Sequence, residues 1–303
     1  MEEQESVVSQ DAVQEESGNP ENEEGQTLEK EEPKIPEKEK AHVIVVTSGK
    51  GGVGKTTSTS NIAVALAKLG KKVVAVDADI GLRNLDVIMG LENRVVYNFV
   101  DVLEGNCRLN QALVRDKRVD QLYLLPAAQT RTKDAVNQEQ MIKLCDMLRD
   151  EFDYILLDCP AGIEGGFKNA AVGADEALIV VTPEVPSVRD ADRIIGMLES
   201  MGKSPIRLIV NRIRPEMVRG GDMLDVPDII EILAIGLIGI VPEDDNVIKA
   251  ANRGEPMAFS SKSPAAQAYM NIAERILGND VPLLDLDTKP RGLLGNIKKI
   301  LGI

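Results

Sequence analysis

Gly49-Lys50-Gly51-Gly52-Val53-Gly54-Lys55-Thr56 satisfies the spacing G-x-x-x-x-G-K-[ST]. Small glycines let consecutive backbone N–H groups converge on one anion, and a helix that starts where the string ends adds its positive pole. Lys55 would then neutralise the β- and γ-phosphates of a nucleotide, and the Thr56 hydroxyl would ligate Mg²⁺. A second lysine, Lys50, lies inside the string, where most phosphate loops require no particular residue. From the outer edge of such a loop it is poorly placed for its own γ-phosphate, but it could reach the nucleotide of a facing subunit.

Transfer of a phosphoryl group to water also needs carboxylates, to hold the metal and orient the nucleophile. Two apolar runs end in them. Val73–Val76 leads into Asp77-Ala78-Asp79, and Tyr154–Leu157 leads into Asp158-Cys159-Pro160-Ala161-Gly162. Asp158 reads as the aspartate that closes a buried strand beside the metal, with Gly162 free to take unusual backbone angles behind it. Asp77 and Asp79 are also placed to act as ordinary helix caps.

These groups need strands to carry them. Short β-branched runs at His42–Thr47, Val73–Val76, Gln121–Leu125, Tyr154–Leu157, Ala177–Val181, Ile206–Val210 and Leu237–Val241 alternate with helical stretches at Thr56–Leu69, Gln138–Glu151, Val188–Met201 and Pro227–Ala234. Near-continuous apolar strands separated by helices predict an α/β domain, a mainly parallel sheet with helices on both faces. Ligands collect at the carboxyl ends of such strands, where the loop and both carboxylate pairs would meet. The expected organisation is a disordered acidic arm over 1–40, one ATPase-sized α/β domain over 41–278, a linker over 279–290 and a terminal segment over 291–303.

Charge follows the same division. The formal charge is −14, but residues 1–40 hold 14 acidic residues against four lysines, a net of −10, which leaves −4 for the rest. A nearly balanced body with 3% aromatic residues offers neither a basic surplus nor stacking platforms, so no nucleic-acid partner is expected. Cys107, Cys145 and Cys159 are widely spaced, with His42 the one histidine, which argues against a disulfide framework, a zinc site or an iron–sulfur ligand set. No apolar run reaches the roughly 18 residues of a membrane span, and the acidic start Met1-Glu2-Glu3 is unlike a targeting signal. These features predict a cytoplasmic protein.

The terminal segment has its own pattern. Leu293, Leu294, Ile297, Ile300 and Leu301 fall at i, i+1, i+4, i+7 and i+8, the stripe of an amphipathic helix, with Arg291, Lys298 and Lys299 beside or opposite it. Burial of such side chains in a membrane is worth roughly 1.5–3 kcal/mol each, less the entropy of ordering the helix. Each basic residue near anionic headgroups adds about 1 kcal/mol. One copy should bind weakly and two copies on a dimer far better. The alternative is a final helix folded back onto the α/β core.

The string Lys50 to Thr57 resembles the signature of the MinD/ParA family of deviant Walker A ATPases, P-loop proteins with a mainly parallel sheet. The segments Asp79–Asp86, Arg94–Val100, Pro183–Asp190 and Arg219–Leu224 resemble its division-site branch, with Gly220-Gly221 carrying one glycine more than the usual R-G-D-M-L string. The resemblance implies a Mg²⁺-dependent ATP hydrolase that forms an ATP-sandwiched homodimer. Lys50, Gly51, Gly52, Val53, Gly54, Lys55, Thr56 and Thr57 would bind ATP, Lys50 across the dimer, with Lys50, Lys55 and Asp79 as the catalytic set and Asp79 positioning the attacking water. Asp158 would support Mg²⁺ through water, beside Thr56. Asn211 and Pro242 would flank the adenine. Arg189 and Asp190 would lie on the dimer surface where a MinC-like inhibitor and a MinE-like activator dock. The terminal helix, through Leu293, Leu294, Ile297, Lys298, Ile300 and Leu301, would attach the dimer to the inner face of the cell membrane. A DNA-partition ATPase of the ParA type, a flagellar-placement ATPase and an iron–sulfur carrier of the same fold are the rival readings. The absent basic surface, the division-type segments and the lone cysteines, respectively, run against them.

Overall fold

The computed structural model describes residues 41–132, 135–163, 165–259 and 263–286. The expected acidic arm over 1–40, the end of the linker and the terminal helix, with Leu293, Leu294, Ile297, Lys298, Ile300 and Leu301, lie outside the described residues.

The strands are β1 His42–Thr47, β2 Val73–Asp77, β3 Val114–Arg115, β4 Leu122–Leu125, β5 Tyr154–Asp158, β6 Glu176–Val181, β7 Ile206–Ile213 and β8 Gly236–Pro242. They form one sheet in the order β3-β4-β2-β5-β1-β6-β7-β8. All neighbours are parallel except the short edge strand β3, antiparallel to β4. The sequence pattern predicts no strand at β3, because two residues give no period to read. The helices are α1 Lys55–Lys68, α2 Leu85–Ile88, α3 Phe99–Leu103, α4 Leu109–Ala112, α5 Gln138–Arg149, α6 Gly165–Val172, α7 Val185–Ser200, α8 Pro215–Gly220, α9 Val226–Leu233, α10 Asp245–Ala251 and α11 Pro264–Ile276. Helix α7 begins one turn earlier than its sequence pattern predicts. Pro186 lies in its first turn, where a missing N–H costs nothing.

Strand alternation builds two cores. Val43 and Val45 of β1 join the layer containing α5, α6, α7 and α9 residues, while Ile44 and Val46 join the layer of α1 and α11. Helix α1 is buried from Ser58 to Ala67, which requires cover on its outer side. That cover includes a short helical turn at Met257–Phe259, where the Ala258 N–H donates to Asn61 Oδ1 at 2.8 Å. The chain after α11 is tied back to the body rather than free. The Arg275 guanidinium donates to the carbonyls of Val281 and Ile238, at 2.9 and 2.8 Å, and Leu284 packs against the α1 and α11 core. The first part of the expected linker is therefore anchored.

The register sets the site. Val46 of β1 lies opposite Asp158 of β5, which in turn lies opposite Asp77 of β2. Both aspartates therefore stand beside the loop that leaves β1 after Thr47.

Candidate nucleotide-binding site

The loop between β1 and α1 is shaped from within and braced from both sides. Ser48 Oγ donates to the Lys50 carbonyl at 2.7 Å, and the Gly162 N–H donates to the Ser48 carbonyl at 3.1 Å. Gly54 sits at φ 98° as the left-handed N-cap of α1, with no side-chain cap, a conformation that favours glycine. The first N–H groups of α1 thus face the loop without a side chain in competition. On one side, a Cβ on Gly49 would come 2.3 Å from the backbone carbon of Asp190 in α7. On the other, Asn211 Nδ2 donates to the Val53 carbonyl at 2.8 Å, and a Cβ on Gly54 would come 2.3 Å from that nitrogen.

The two lysines of the loop have different surroundings. Lys50, Gly51 and Gly52 are exposed at the loop's crest, whereas Val53 is buried and Lys55, Thr56 and Thr57 are half-buried at the start of α1.

Behind Thr56 lies a buried acidic pair. Asp158 Oδ1 accepts from Thr59 Oγ1 at 3.2 Å, and the Thr56 hydroxyl lies close enough to act on the same carboxyl. Burial lifts that carboxyl to about 6, against the pull of the Thr56 hydroxyl, the Lys55 ammonium and Thr59. Asp77 is lifted further, to about 7, by burial and then by the charge of Asp158. Its two oxygens accept the N–H groups of Asp79 and Leu85, both at 3.1 Å. Leu85 opens α2, whose N-cap residue Asn84 makes no side-chain bond, so Asp77 takes the capping role and shapes the turn carrying half-buried Asp79. A hydroxyl beside a buried carboxylate whose charge is poorly compensated is a donor set that fits a divalent cation.

Past α1, the carboxyl ends of β7 and β8 form a narrow cleft of about 30 Å³, lined by Gly54, Thr57, Asn211, Arg212, Pro242 and Tyr269 among others. Asn211 and Pro242 are thus brought beside the loop, and Asn211 also tethers it, a role for which sequence carries no signal. The bracing by Asp190, the cap by Asp77 and the inclusion of Arg212 were equally absent from the sequence reading. Arg189 is exposed on α7, next to Asp190. Cys159 follows Asp158, its thiol donates to the Val46 carbonyl at 3.2 Å, and burial pushes it up to about 12, as it does Cys145. No helix among the described residues is long and apolar enough to cross a membrane. The extra glycine expected at Gly220-Gly221 has a local explanation, since Gly221 takes the left-handed conformation, φ 81°, that ends α8.

A glycine loop from a central parallel strand into a buried helix, with an aspartate closing the next strand, defines a P-loop nucleotide-binding domain. In agreement, the family model described as the CobQ/CobB/MinD/ParA nucleotide binding domain matches residues 44–257. The septum site-determining protein MinD of Bacillus subtilis is 57% identical over 262 residues, covering 86% of this chain and 98% of that protein. The solved MinC:MinD cell division protein complex of Aquifex aeolicus contains a chain 55% identical, with TM-score 0.76, covering 81% of this chain and 99% of that one. The septum site-determining protein MinD of Pyrococcus horikoshii, complexed with Mg-ADP, is 30% identical with TM-score 0.70 over 78% of this chain and 96% of that one. The chain belongs to the MinD family of septum site-determining ATPases.

Proposed function

We propose that this ATPase dimerises around ATP, attaches reversibly to the inner face of the cell membrane, and recruits a MinC-like inhibitor that controls where the septum forms. The observation that carries the reading is the division of labour between two lysines. Lys55 is half-buried at the head of α1, beside its own nucleotide, whereas Lys50 is exposed at the loop's crest, free to meet the nucleotide of a second copy. Asp79, half-buried on a turn shaped by Asp77, orients the attacking water. A Mg²⁺ ion, held by Thr56 and through water by Asp158, would supply neutralisation of phosphate charge. Asn211 holds the loop open for the phosphates, and with Pro242 it borders the cleft for the adenine.

Partner docking falls to α7 at exposed Arg189 and half-buried Asp190. Asp190 rests on Gly49, so this part of α7 adjoins the phosphate loop. The Aquifex relative was solved together with MinC, which supports an inhibitor of that kind, with a MinE-like activator as a second partner. Leu293, Leu294, Ile297, Lys298, Ile300 and Leu301 form the membrane contact. Two weak helices on one dimer multiply through effective concentration, so ATP-driven dimerisation becomes attachment and hydrolysis becomes release.

The test is co-sedimentation with anionic liposomes in ATP and in ADP, for wild type, Lys50→Ala and a truncation after Leu286, which keeps the anchored part of the linker. Wild type should sediment with ATP only, and both variants should stay in solution. Equal wild-type sedimentation in ADP and ATP would remove the switch.

A further inference from the structure

Strand β7 is not regular at its carboxyl end. Asn211 pairs with Val241 and Ile213 with Pro242, leaving Arg212 as the extra residue of a bulge. Its φ is 59°, left-handed, where a residue with a branched-out side chain carries backbone strain. Asn211 and Ile213 are buried and Arg212 is exposed between them. Strain of this kind persists where something other than local stability selects it.

The Arg212 guanidinium makes no hydrogen bond or ion pair to another described residue. Arg214, two positions on, lies 4.0 Å from Glu243. Arg212 lines the cleft beside Gly54 and Thr57 and also the larger groove bordered by Glu184, Met217 and Met223. It lies close enough to the buried Tyr269 hydroxyl for its charge to act there. The cleft is lined by Pro242, Val247 and Ile248 together with the acidic Glu243 and Asp244, and a planar cation at its edge is suited to the face of an aromatic ring.

We propose that Arg212 is a binding residue for the nucleotide base, its guanidinium packing on the purine in this cleft, and that the strained bulge exists to present it. The inference rests on the nucleotide site described under the proposed function. Glycine adopts the left-handed conformation without strain, so Arg212→Gly removes the guanidinium while easing the backbone, and the fold should survive it.

The experiment titrates the nucleotide-free full-length protein with Mg-ADP and with Mg-pyrophosphate by calorimetry, for wild type, Arg212→Gly and Arg212→Lys, alongside their melting temperatures. Arg212→Gly should weaken ADP about 5- to 50-fold, leave pyrophosphate within about twofold, and melt no lower than wild type. Arg212→Lys should fall between, because an ammonium lacks the stacking plane. Unchanged ADP affinity in Arg212→Gly overturns the proposal, as does an equal loss for ADP and pyrophosphate, which would assign the residue to the phosphates. Failure of the wild type to bind ADP would instead overturn the nucleotide site itself.

Discussion

Lys50 and Lys55 belong to one string of residues, yet only the second is carried by a helix. Lys55 opens α1 and is half-buried, while Lys50 stands exposed on glycine-rich backbone. The same contrast separates the aspartates. Asp77 spends both oxygens on backbone N–H groups, one of them that of Asp79, the carboxylate proposed to orient water. Asp79→Asn should lower ATP turnover by about 10²- to 10⁴-fold while ATP-dependent dimerisation persists, as read by phosphate release and by gel filtration. Loss of both together would assign Asp79 to binding instead. The buried acidic pair also predicts a pH dependence. The Asp77 carboxyl is raised from 3.8 to about 7, so between these values the folded chain binds more protons than the unfolded one, and stability falls as pH rises. The slope is at most about 1.4 kcal/mol per pH unit for one group. Thermal unfolding of nucleotide-free protein should show this decline from pH 5 to 7, with a smaller one in Asp77→Asn. Parallel curves for the two proteins would count against the assignment.

At the scale of elements, the phosphate loop is held by what flanks it. Helix α7 reaches the loop at Asp190 and strand β7 reaches it at Asn211. Gly49→Ala would drive a methyl to 2.3 Å from the Asp190 backbone, so either the helix or the loop must move. Overpacking of this kind costs about 1–3 kcal/mol, and ADP affinity should fall at least about tenfold with it. A variant that melts lower but binds ADP like wild type would show that the helix yields and the loop does not. Asn211→Ala leaves the Val53 carbonyl without its partner, worth about 1–3 kcal/mol. Its signature should be weaker binding of pyrophosphate as well as of ADP, in contrast with Arg212→Gly.

For the whole molecule, the central strand β1 has β5 on one side and β6 on the other, so the loop emerges where the sheet changes winding direction and ligands can enter. After α11 the chain is held to the body where Arg275 binds both Ile238 and Val281. If the terminal stripe is the membrane contact proposed, Leu293→Glu should abolish ATP-dependent liposome binding and leave dimerisation in solution unchanged. Liposome binding at the wild-type level in this variant would refute the membrane role of the terminal stripe.

The sequence by itself determined the parallel α/β architecture, the phosphate loop, and the positions of Asp79 and Asp158 at strand ends. These are local patterns: β-branched runs announce buried strands, and glycine spacing announces a backbone that must approach an anion. It also supplied the amphipathic stripe after Arg291 and the resemblance that named Asn211 and Pro242. Tertiary structure alone decided how the loop is kept in shape. Gly49 against Asp190 joins residues 141 positions apart, and Asn211 with Val53 joins residues 158 apart. No periodicity records such pairs, because each depends on the order in which the strands assemble around β1. The two-residue strand β3, the bulge at Arg212 and the cap that Asp77 places on α2 escape sequence for the same reason. Each is a consequence of where neighbouring strands end, and that is fixed only when the sheet has assembled.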